Sequence, residues 1–119
     1  MIPKFRVWDK DLKILRPVAY IDMQKQIVAY FIGDLAVAAN PIKKIILMQS
    51  TGMKDKTGTE IYEGDIVKVE TRGGVVYGDV KYKSCSFMIC SEDMDRIMLY
   101  CWDYEVIGNI YENPELMEV

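Results

Sequence analysis

The segment at residues 51–67 constrains the fold more than any other part of the chain. It carries three glycines, Gly52, Gly58 and Gly64, and then runs directly into alternating apolar residues. Asp55 and Gly58 have the spacing of a type I turn followed by a glycine bulge. Gly64 can take a positive φ at little cost, which predicts a second reversal beside it. The block therefore predicts two turns and the strands that they join.

Short runs of β-branched and aromatic residues recur along the rest of the chain. Fourteen Ile and eleven Val are present among 119 residues, and these stiff side chains favour strands. Gly78 and Gly108 fall inside two of the runs, where they can supply the bends of a small barrel. Such short strands with frequent turns predict a small barrel or a sandwich. The predicted strands lie at residues 5–8, 18–22, 27–31, 45–49, 66–70, 75–82, 87–90, 97–100 and 104–111.

The amino-terminal third contains one clear hairpin and one open segment. The hairpin is predicted over residues 18–31, with its turn at 23–26. For residues 33–44 the sequence fits more than one structure. Asp34 fits the cap of a short helix, and Gly33–Asp34 fits equally a two-residue hairpin turn. We favour a strand or an irregular stretch there.

These patterns together predict a mostly-β single domain over residues 1–119, with amino-terminal strands at 1–44 and a barrel portion at 45–119. Helical structure is expected only in short segments. One of them begins at Asn113, a capping residue, followed by Pro114 at the first helical position. The side chains predicted to be buried are those of Val67, Val69, Val76, Val80, Ile107 and Trp102.

Charge and the amino-terminal residues bear on location and partners. The formal net charge is −3, whereas binding to duplex DNA through its phosphates usually needs a strongly basic face. Residues 1–9 lack the hydrophobic centre of a signal peptide. No apolar run approaches the roughly 20 residues that cross a bilayer. We therefore expect a cytoplasmic protein that has no membrane association.

The residue types needed for common catalytic and metal sites are scarce. The absence of histidine excludes histidine bases, triads and histidine metal ligands. Cys85, Cys90 and Cys101 do not form a Cys-x-x-Cys pair, and in a reducing cytoplasm they are expected to be small buried apolar residues. The sequence predicts neither a metal site nor a cofactor.

Clustered carboxylates are the remaining candidates for catalysis. Their positions indicate turn chemistry near residue 63 and a solvated loop near residue 93, so we expect no catalytic residues and no enzymatic activity. The two clusters consist of Glu60, Glu63 and Asp65, and of Glu92, Asp93 and Asp95.

Exposed aromatic and basic side chains are the best candidates for binding. Tyr77 and Lys81 share one face of the strand predicted at 75–82, and Lys83 follows close by. An outward aromatic ring beside a basic side chain can stack on the nucleobases of a single-stranded nucleic acid. Tyr100, Trp102 and Tyr104 would share a face as well, and core packing is the more common role for such a group. The binding candidates are therefore Tyr77, Lys81 and Lys83.

Three segments carry a family resemblance. Residues 1–9 (MIPKFRVWD), 47–67 (LMQSTGMKDKTGTEIYEGDIV) and 106–116 (VIGNIYENPEL) resemble, in order, the YopX family of phage and prophage proteins. The resemblance implies an SH3-like barrel and a small protein encoded by a temperate phage, acting in the bacterial host cytoplasm. It supplies no activity and no catalytic residues.

The sequence leaves three functional hypotheses, of which an enzyme ranks last because histidine is absent, and two remain in competition. The first is a non-enzymatic phage or prophage accessory protein that acts as a protein-interaction module, with a host or phage protein as its partner or with self-association. The alternative is a small nucleic-acid-binding β-barrel. The acidic balance favours the protein partner over nucleic acid.

Overall fold

The structure, a computed structural model, describes residues 4–34, 37–91, 95–97 and 103–117, with the backbone alone at 95–97. Short 3₁₀ turns cover Ile42–Lys44 and Pro114–Met117. The prediction of a mostly-β chain with only short helical segments is therefore confirmed. The strands are β1 (Phe5–Asp9), β2 (Ile14–Asp22), β3 (Ile27–Phe31), β4 (Val37–Pro41), β5 (Ile45–Lys54), β6 (Glu60–Tyr62), β7 (Asp65–Thr71), β8 (Gly74–Lys83), β9 (Ser86–Cys90), β10 (Asp95–Ile97) and β11 (Tyr104–Asn109).

The chain forms two compact units, Met1–Ser50 and Thr51–Val119. A six-stranded sheet has the order β4-β3-β2-β1-β5-β6, and a five-stranded sheet has the order β10-β9-β8-β7-β11. The assigned pairs are antiparallel, as expected for hairpin-connected strands. The expectation of a single domain, divided at residue 44, stays a prediction.

The predicted SH3-like barrel is not confirmed. Among the described strands, the six-stranded sheet ends at β4 and β6, and the five-stranded sheet ends at β10 and β11. Neither order returns to its first strand, so the described residues form two open antiparallel sheets. No described helix is long and apolar enough to cross a bilayer.

The first unit is built on the predicted hairpin. β2 and β3 pair around the turn at residues 23–26, where Lys25 N–H donates to Asp22 Oδ1 at 3.0 Å. β4 then pairs with β3, from Phe31 opposite Val37 to Ile27 opposite Pro41. The strand option for residues 37–41 is thus confirmed over the helix. The buried core residues of this unit are Val7, Val28, Tyr30 and Ile45.

The second unit has its own core, formed by one face of the five-stranded sheet together with β6. The predicted burial of Val67, Val69 and Val80 is confirmed, but Val76 and Ile107 are only half-buried. Val76 lies near the Gly73–Gly74 end of its hairpin, beyond the centre of the core. The predicted burial of Trp102 lies outside the described residues. The core residues are Ile61, Val67, Val69, Val80, Ile89 and Tyr104.

Both turns predicted in the 51–67 block are confirmed. Gly58 has φ +90°, and its N–H donates to Asp55 C=O at 3.0 Å. Gly64 has φ +86°. Its N–H donates to Val80 C=O, and its C=O accepts from Ile110 N–H, each at 2.9 Å. The second turn therefore connects β8 to the chain that follows β11.

The two glycines inside strands serve close approach. The register of the β7–β11 ladder shifts between Val106 and Gly108, which supports a bend at Gly108, whereas the β7–β8 register runs unbroken through Gly78. A Cβ on Gly78 would lie 2.6 Å from Ile89 Cγ2, so the missing side chain lets β9 approach β8. A Cβ on Gly108 would lie 2.6 Å from Asn113 Oδ1. That oxygen accepts from Asn109 N–H at 3.3 Å. The predicted cap residue Asn113 therefore reaches back towards β11, ahead of the 3₁₀ turn.

Candidate functional site

The predicted binding residues lie along one face of β8. Lys81 and Lys83 are exposed beside the β8–β9 hairpin turn, whereas Tyr77 is half-buried and pairs with Lys68 of β7. Four residues of extended chain separate Tyr77 from Lys81, which corresponds to roughly 13 Å. The structure therefore brings Lys81 and Lys83 together and leaves Tyr77 apart from them.

The exposed aromatic ring near these lysines belongs to Tyr82. It lies on the same strand face as Val80, but 57% of its surface is exposed, since this end of β8 extends past the core. Its ring packs edge-on against Phe87, its cross-strand partner, with 5.0 Å between centroids. Alternation along β8 puts Tyr82 on the face of Val76 and Val80. The hairpin turn that follows β8 indicates that this part of the face lies at the end of the sheet, where no other described element covers Tyr82.

The turn between β8 and β9 is a strained two-residue loop. Ser84 has φ 53° and Cys85 has φ 63°, as in a type I′ turn, where Asn and Gly are the usual residues. Cys85 is exposed, so its predicted burial is wrong, whereas Cys90 is buried as expected. Cys101 lies outside the described residues. The turn displays Lys83 and Tyr82 at the end of a two-stranded projection.

Acidic groups reduce the positive charge at this end of the sheet. Lys81 Nζ lies 3.8 Å from Asp79 Oδ2, and Asp79 is 7% exposed. Partial neutralisation by a neighbouring carboxylate weakens the attraction of a lysine for phosphate. The Asp79 carboxylate therefore reduces the net positive charge that Lys81 presents.

The Asp55 carboxylate, in the first turn of the 51–67 block, accepts four hydrogen bonds. Its Oδ1 accepts from Thr57 N–H and Thr59 N–H at 2.9 Å and from Thr57 Oγ1 at 2.7 Å. Its Oδ2 accepts from Val106 N–H of β11 at 2.9 Å. Burial by itself raises the pKa of Asp55, but these hydrogen bonds together outweigh burial and hold the pKa below its ordinary value. The group is a structural anchor.

A second buried carboxylate ties three strands of the first unit together. Asp9 of β1 accepts from Leu12 N–H at 3.0 Å and from the hydroxyl of Tyr30 on β3. That hydroxyl accepts from Asn40 Nδ2 on β4 at 2.7 Å. The Leu12 and Tyr30 hydrogen bonds lower the pKa of Asp9, whereas burial and then the Asp9 contact raise the pKa of Tyr30. This network fixes β4 onto the sheet.

Of the two carboxylate clusters, the structure describes only the side chains of the first, at Glu60, Glu63 and Asp65. Asp65 is buried, and its Oδ2 accepts from Tyr62 N–H at 2.8 Å, which confirms turn chemistry there. Glu92 and Asp93 lie outside the described residues, as does the side chain of Asp95. Within the described ranges, no three acidic or cysteine side chains lie close enough to hold a metal ion.

An apolar patch on the first unit was missed by sequence reasoning. Tyr20, Phe31 and Val37 are 60%, 41% and 50% exposed. Tyr20 and Ala39 both lie opposite Ala29, while Phe31 lies opposite Val37, so these side chains share the sheet face that points away from Val28 and Tyr30. We call Tyr20, Phe31 and Val37 the outer patch. Its members come from three strands, and only the β2–β3–β4 register brings them together.

Comparison with known proteins gives relatives along nearly the whole chain. The crystal structure of protein EF1440 from Enterococcus faecalis matches with 28% identity and a TM-score of 0.71, covering 98% of this chain and 99% of that one. The crystal structure of protein yopX from Bacillus subtilis matches with 22% identity and a TM-score of 0.67, covering 98% and 96%, and this likeness shows the shared fold. A family model described as YopX protein matches residues 4–118. No curated protein sequence matches the chain.

Proposed function

The chain belongs to the YopX family, and from that membership we propose that it is a non-enzymatic phage or prophage accessory protein. It works by binding another protein of the phage or the host in the bacterial cytoplasm. The family resemblance to phage proteins supports the setting. The structural use of Asp9, Asp55 and Asp65, each of which accepts backbone N–H groups, supports a role without acid–base catalysis.

The outer patch is the observation that carries the proposal. Tyr20, Phe31 and Val37 expose aromatic and aliphatic surface from neighbouring strands. Contiguous exposed apolar surface is a mark of protein–protein contact, and tyrosine and phenylalanine are enriched in the centres of interfaces. Each of these side chains is carried by a strand of one antiparallel sheet, with Phe31 directly opposite Val37. Presenting a binding surface on strands lowers the entropic cost of binding relative to a loop.

The alternative function, nucleic-acid binding, rests on the β8–β9 hairpin. This hairpin exposes Lys81, Tyr82 and Lys83. An aromatic ring with basic side chains beside it can stack on the nucleobases of a single strand. The net charge of −3 and the Asp79 carboxylate beside Lys81 work against this function. The protein partner is therefore the better-supported proposal.

Affinity capture with matched variants tests the choice. The tagged protein is used to capture partners from bacterial lysate, with and without nuclease. The test variant is Tyr20→Thr with Phe31→Thr, and the control is Tyr82→Thr. Tyr20 and Tyr82 are almost equally exposed, at 60% and 57%, and threonine is well tolerated in strands.

We expect a nuclease-resistant partner that the Tyr20→Thr/Phe31→Thr variant loses and the Tyr82→Thr variant retains. The opposite pattern would overturn the proposal. It would consist of salt-sensitive binding of single-stranded DNA or RNA by the pure protein, lost in Tyr82→Thr and kept in the double variant. That result would establish the hairpin as a nucleic-acid site.

A further inference from the structure

β4 is the outermost strand of the six-stranded sheet in the described chain, and it borders the outer patch. Its sequence, VAANP, contains no charged residue. Natural edge strands usually carry charge, proline, a bulge or a cover that limits pairing with other strands, and of these β4 carries only Pro41, at its last position. Val37, Ala39 and Pro41 of this strand are all exposed.

The backbone of β4 has its outward hydrogen-bonding groups at the same three positions. Ile42 N–H donates to Gln26 C=O at 2.9 Å, which marks residue 42 as bonded towards β3. Because bonded positions alternate along an antiparallel ladder, residues 38 and 40 also face β3. Val37, Ala39 and Pro41 therefore direct their backbone groups away from the sheet. Pro41 has no N–H, which suits an outward edge position.

Charged residues flank this neutral strand asymmetrically. Asp34 precedes β4, while Lys43 and Lys44 follow it, and all three are exposed. Antiparallel pairing of two copies would set the acidic end of each strand beside the basic end of the other. Parallel pairing would set like charges together, which is unfavourable. The charges therefore select the antiparallel arrangement of identical strands.

We infer that β4 pairs with β4 of a second copy of this chain, making a two-fold symmetric dimer with a continuous sheet. Ala39 lies at the two-fold axis, opposite Ala39 of the second copy, and each donates its N–H to the other's C=O. Val37 N–H donates to C=O of Pro41 in the second copy. The small side chain of Ala39 permits close approach of the strands, and Asp34 and Lys44 lie equally far from the axis along the chain.

The dimer would also enlarge the outer patch. Val37 and Phe31 lie next to the proposed junction, so the two patches would merge across it into one apolar surface. Isologous contacts of this kind are the commonest basis of soluble dimers. The inference rests on the proposed role of this face as a protein-binding surface. It identifies a second copy of the chain as the partner that pairs with the edge strand β4.

Sedimentation velocity over a micromolar to millimolar dilution series tests the dimer. We expect the wild type to reach twice the 13.7 kDa chain mass. Ala39→Lys puts like charges opposite each other at the axis and should weaken dimerisation by about tenfold or more. Val75→Lys, a lysine at another exposed strand position, should leave dimerisation unchanged. A monomeric wild type, or a dimer that survives Ala39→Lys, would overturn the inference.

Charge exchange tests the register without altering the strand itself. Asp34→Lys and Lys44→Asp should each weaken the dimer, and the two changes in one chain should restore it, because opposite charges then face each other again. Failure of the double variant to restore dimerisation would rule out this antiparallel register.

The outcome is separable from that of the proposed function. A monomer that still captures a partner through Tyr20 and Phe31 would reject the dimer and leave the proposed function standing. A dimer that is broken by Ala39→Lys, but captures no other protein, would support the dimer and reject a separate partner.

Discussion

At the scale of single residues, Gly64 shows how one backbone conformation joins distant parts of the second unit. Its φ of +86° disfavours any residue with a side chain. The same conformation aims its N–H at Val80 C=O and its C=O at Ile110 N–H. A change at this position therefore strains the turn and both of these contacts.

We expect Gly64→Val to lower the free energy of unfolding by about 1–2 kcal/mol or more, since a β-branched residue is strongly disfavoured at positive φ. Urea unfolding monitored by circular dichroism measures the change. Gly33→Val is the matched control, because a Cβ at Gly33 would meet no atom within 4 Å and its φ is not in the left-handed range. Equal effects of the two substitutions would refute the turn argument.

The charged form of Asp55 stabilises the folded chain. Its folded pKa lies below the ordinary value, so the unfolded chain takes up the proton first as the pH falls. The stabilisation is therefore complete above the unfolded pKa of about 3.9 and is lost as the pH falls through the folded pKa.

We expect Asp55→Asn to destabilise the protein by about 2 kcal/mol at pH 7, because an amide cannot accept on both sides from Thr57, Thr59 and Val106. The difference from the wild type should shrink as the pH falls below about 4. Urea unfolding at a series of pH values measures both effects, with the exposed Asp103→Asn as control. A difference that is independent of pH would contradict the charged role of Asp55.

At the scale of elements, the β8–β9 pair depends on a missing side chain. A Cβ at Gly78 would lie 2.6 Å from Ile89 Cγ2 and 2.8 Å from Cys90 C=O. The first atom belongs to the core, and the second belongs to the backbone of β9, which cannot give way without moving the strand. Gly78 therefore determines how closely the two strands pack.

Gly78→Ala should cost about 2–3 kcal/mol of folding free energy through overpacking. Amide hydrogen exchange should accelerate first in β9, the strand that has to move. Gly73→Ala provides the comparison, because its nearest contact would be Thr71 Oγ1 at 3.9 Å, and its effect should stay within about 0.5 kcal/mol. Unchanged exchange in β9 would show that the strands can separate freely.

At the scale of the whole molecule, the two compact units have separate cores but share a strand. β5 begins in the first unit and ends in the second. Val28 belongs to one core and Val80 to the other, and both are almost fully buried. If the chain unfolds as a single domain, a destabilising substitution in either core must lower the free energy of unfolding of both units.

We expect Val28→Ala and Val80→Ala each to cost about 2 kcal/mol. In one cooperative domain, globally exchanging amide protons of both units should then exchange about thirtyfold faster in either variant. Acceleration confined to residues 4–50 in Val28→Ala, or to the second unit in Val80→Ala, would instead establish two independent domains. Hydrogen exchange followed by NMR distinguishes these outcomes.

The turns and the hairpin that depend on local backbone preferences could be predicted from the sequence alone. Asp55 with Gly58, the Gly64 reversal and the 18–31 hairpin all follow from preferences that act over a few residues. The β identity of most segments likewise follows from β-branched content. The family resemblance was readable from residues 1–9, 47–67 and 106–116, because it depends only on the order of residues, and the family model over residues 4–118 confirmed it.

Tertiary structure decided everything that depends on which strands become neighbours. The short neutral run at 37–41 became an edge strand because Tyr30 and Asn40 bond across β3 and β4, a contact that no local preference encodes. Tyr82 became exposed because β8 extends past its core, and Tyr77, on the opposite face of β8, became half-buried. The outer patch arises from three strands in register. Alternation along a strand specifies which side chains share a face, but only packing determines which part of that face is covered.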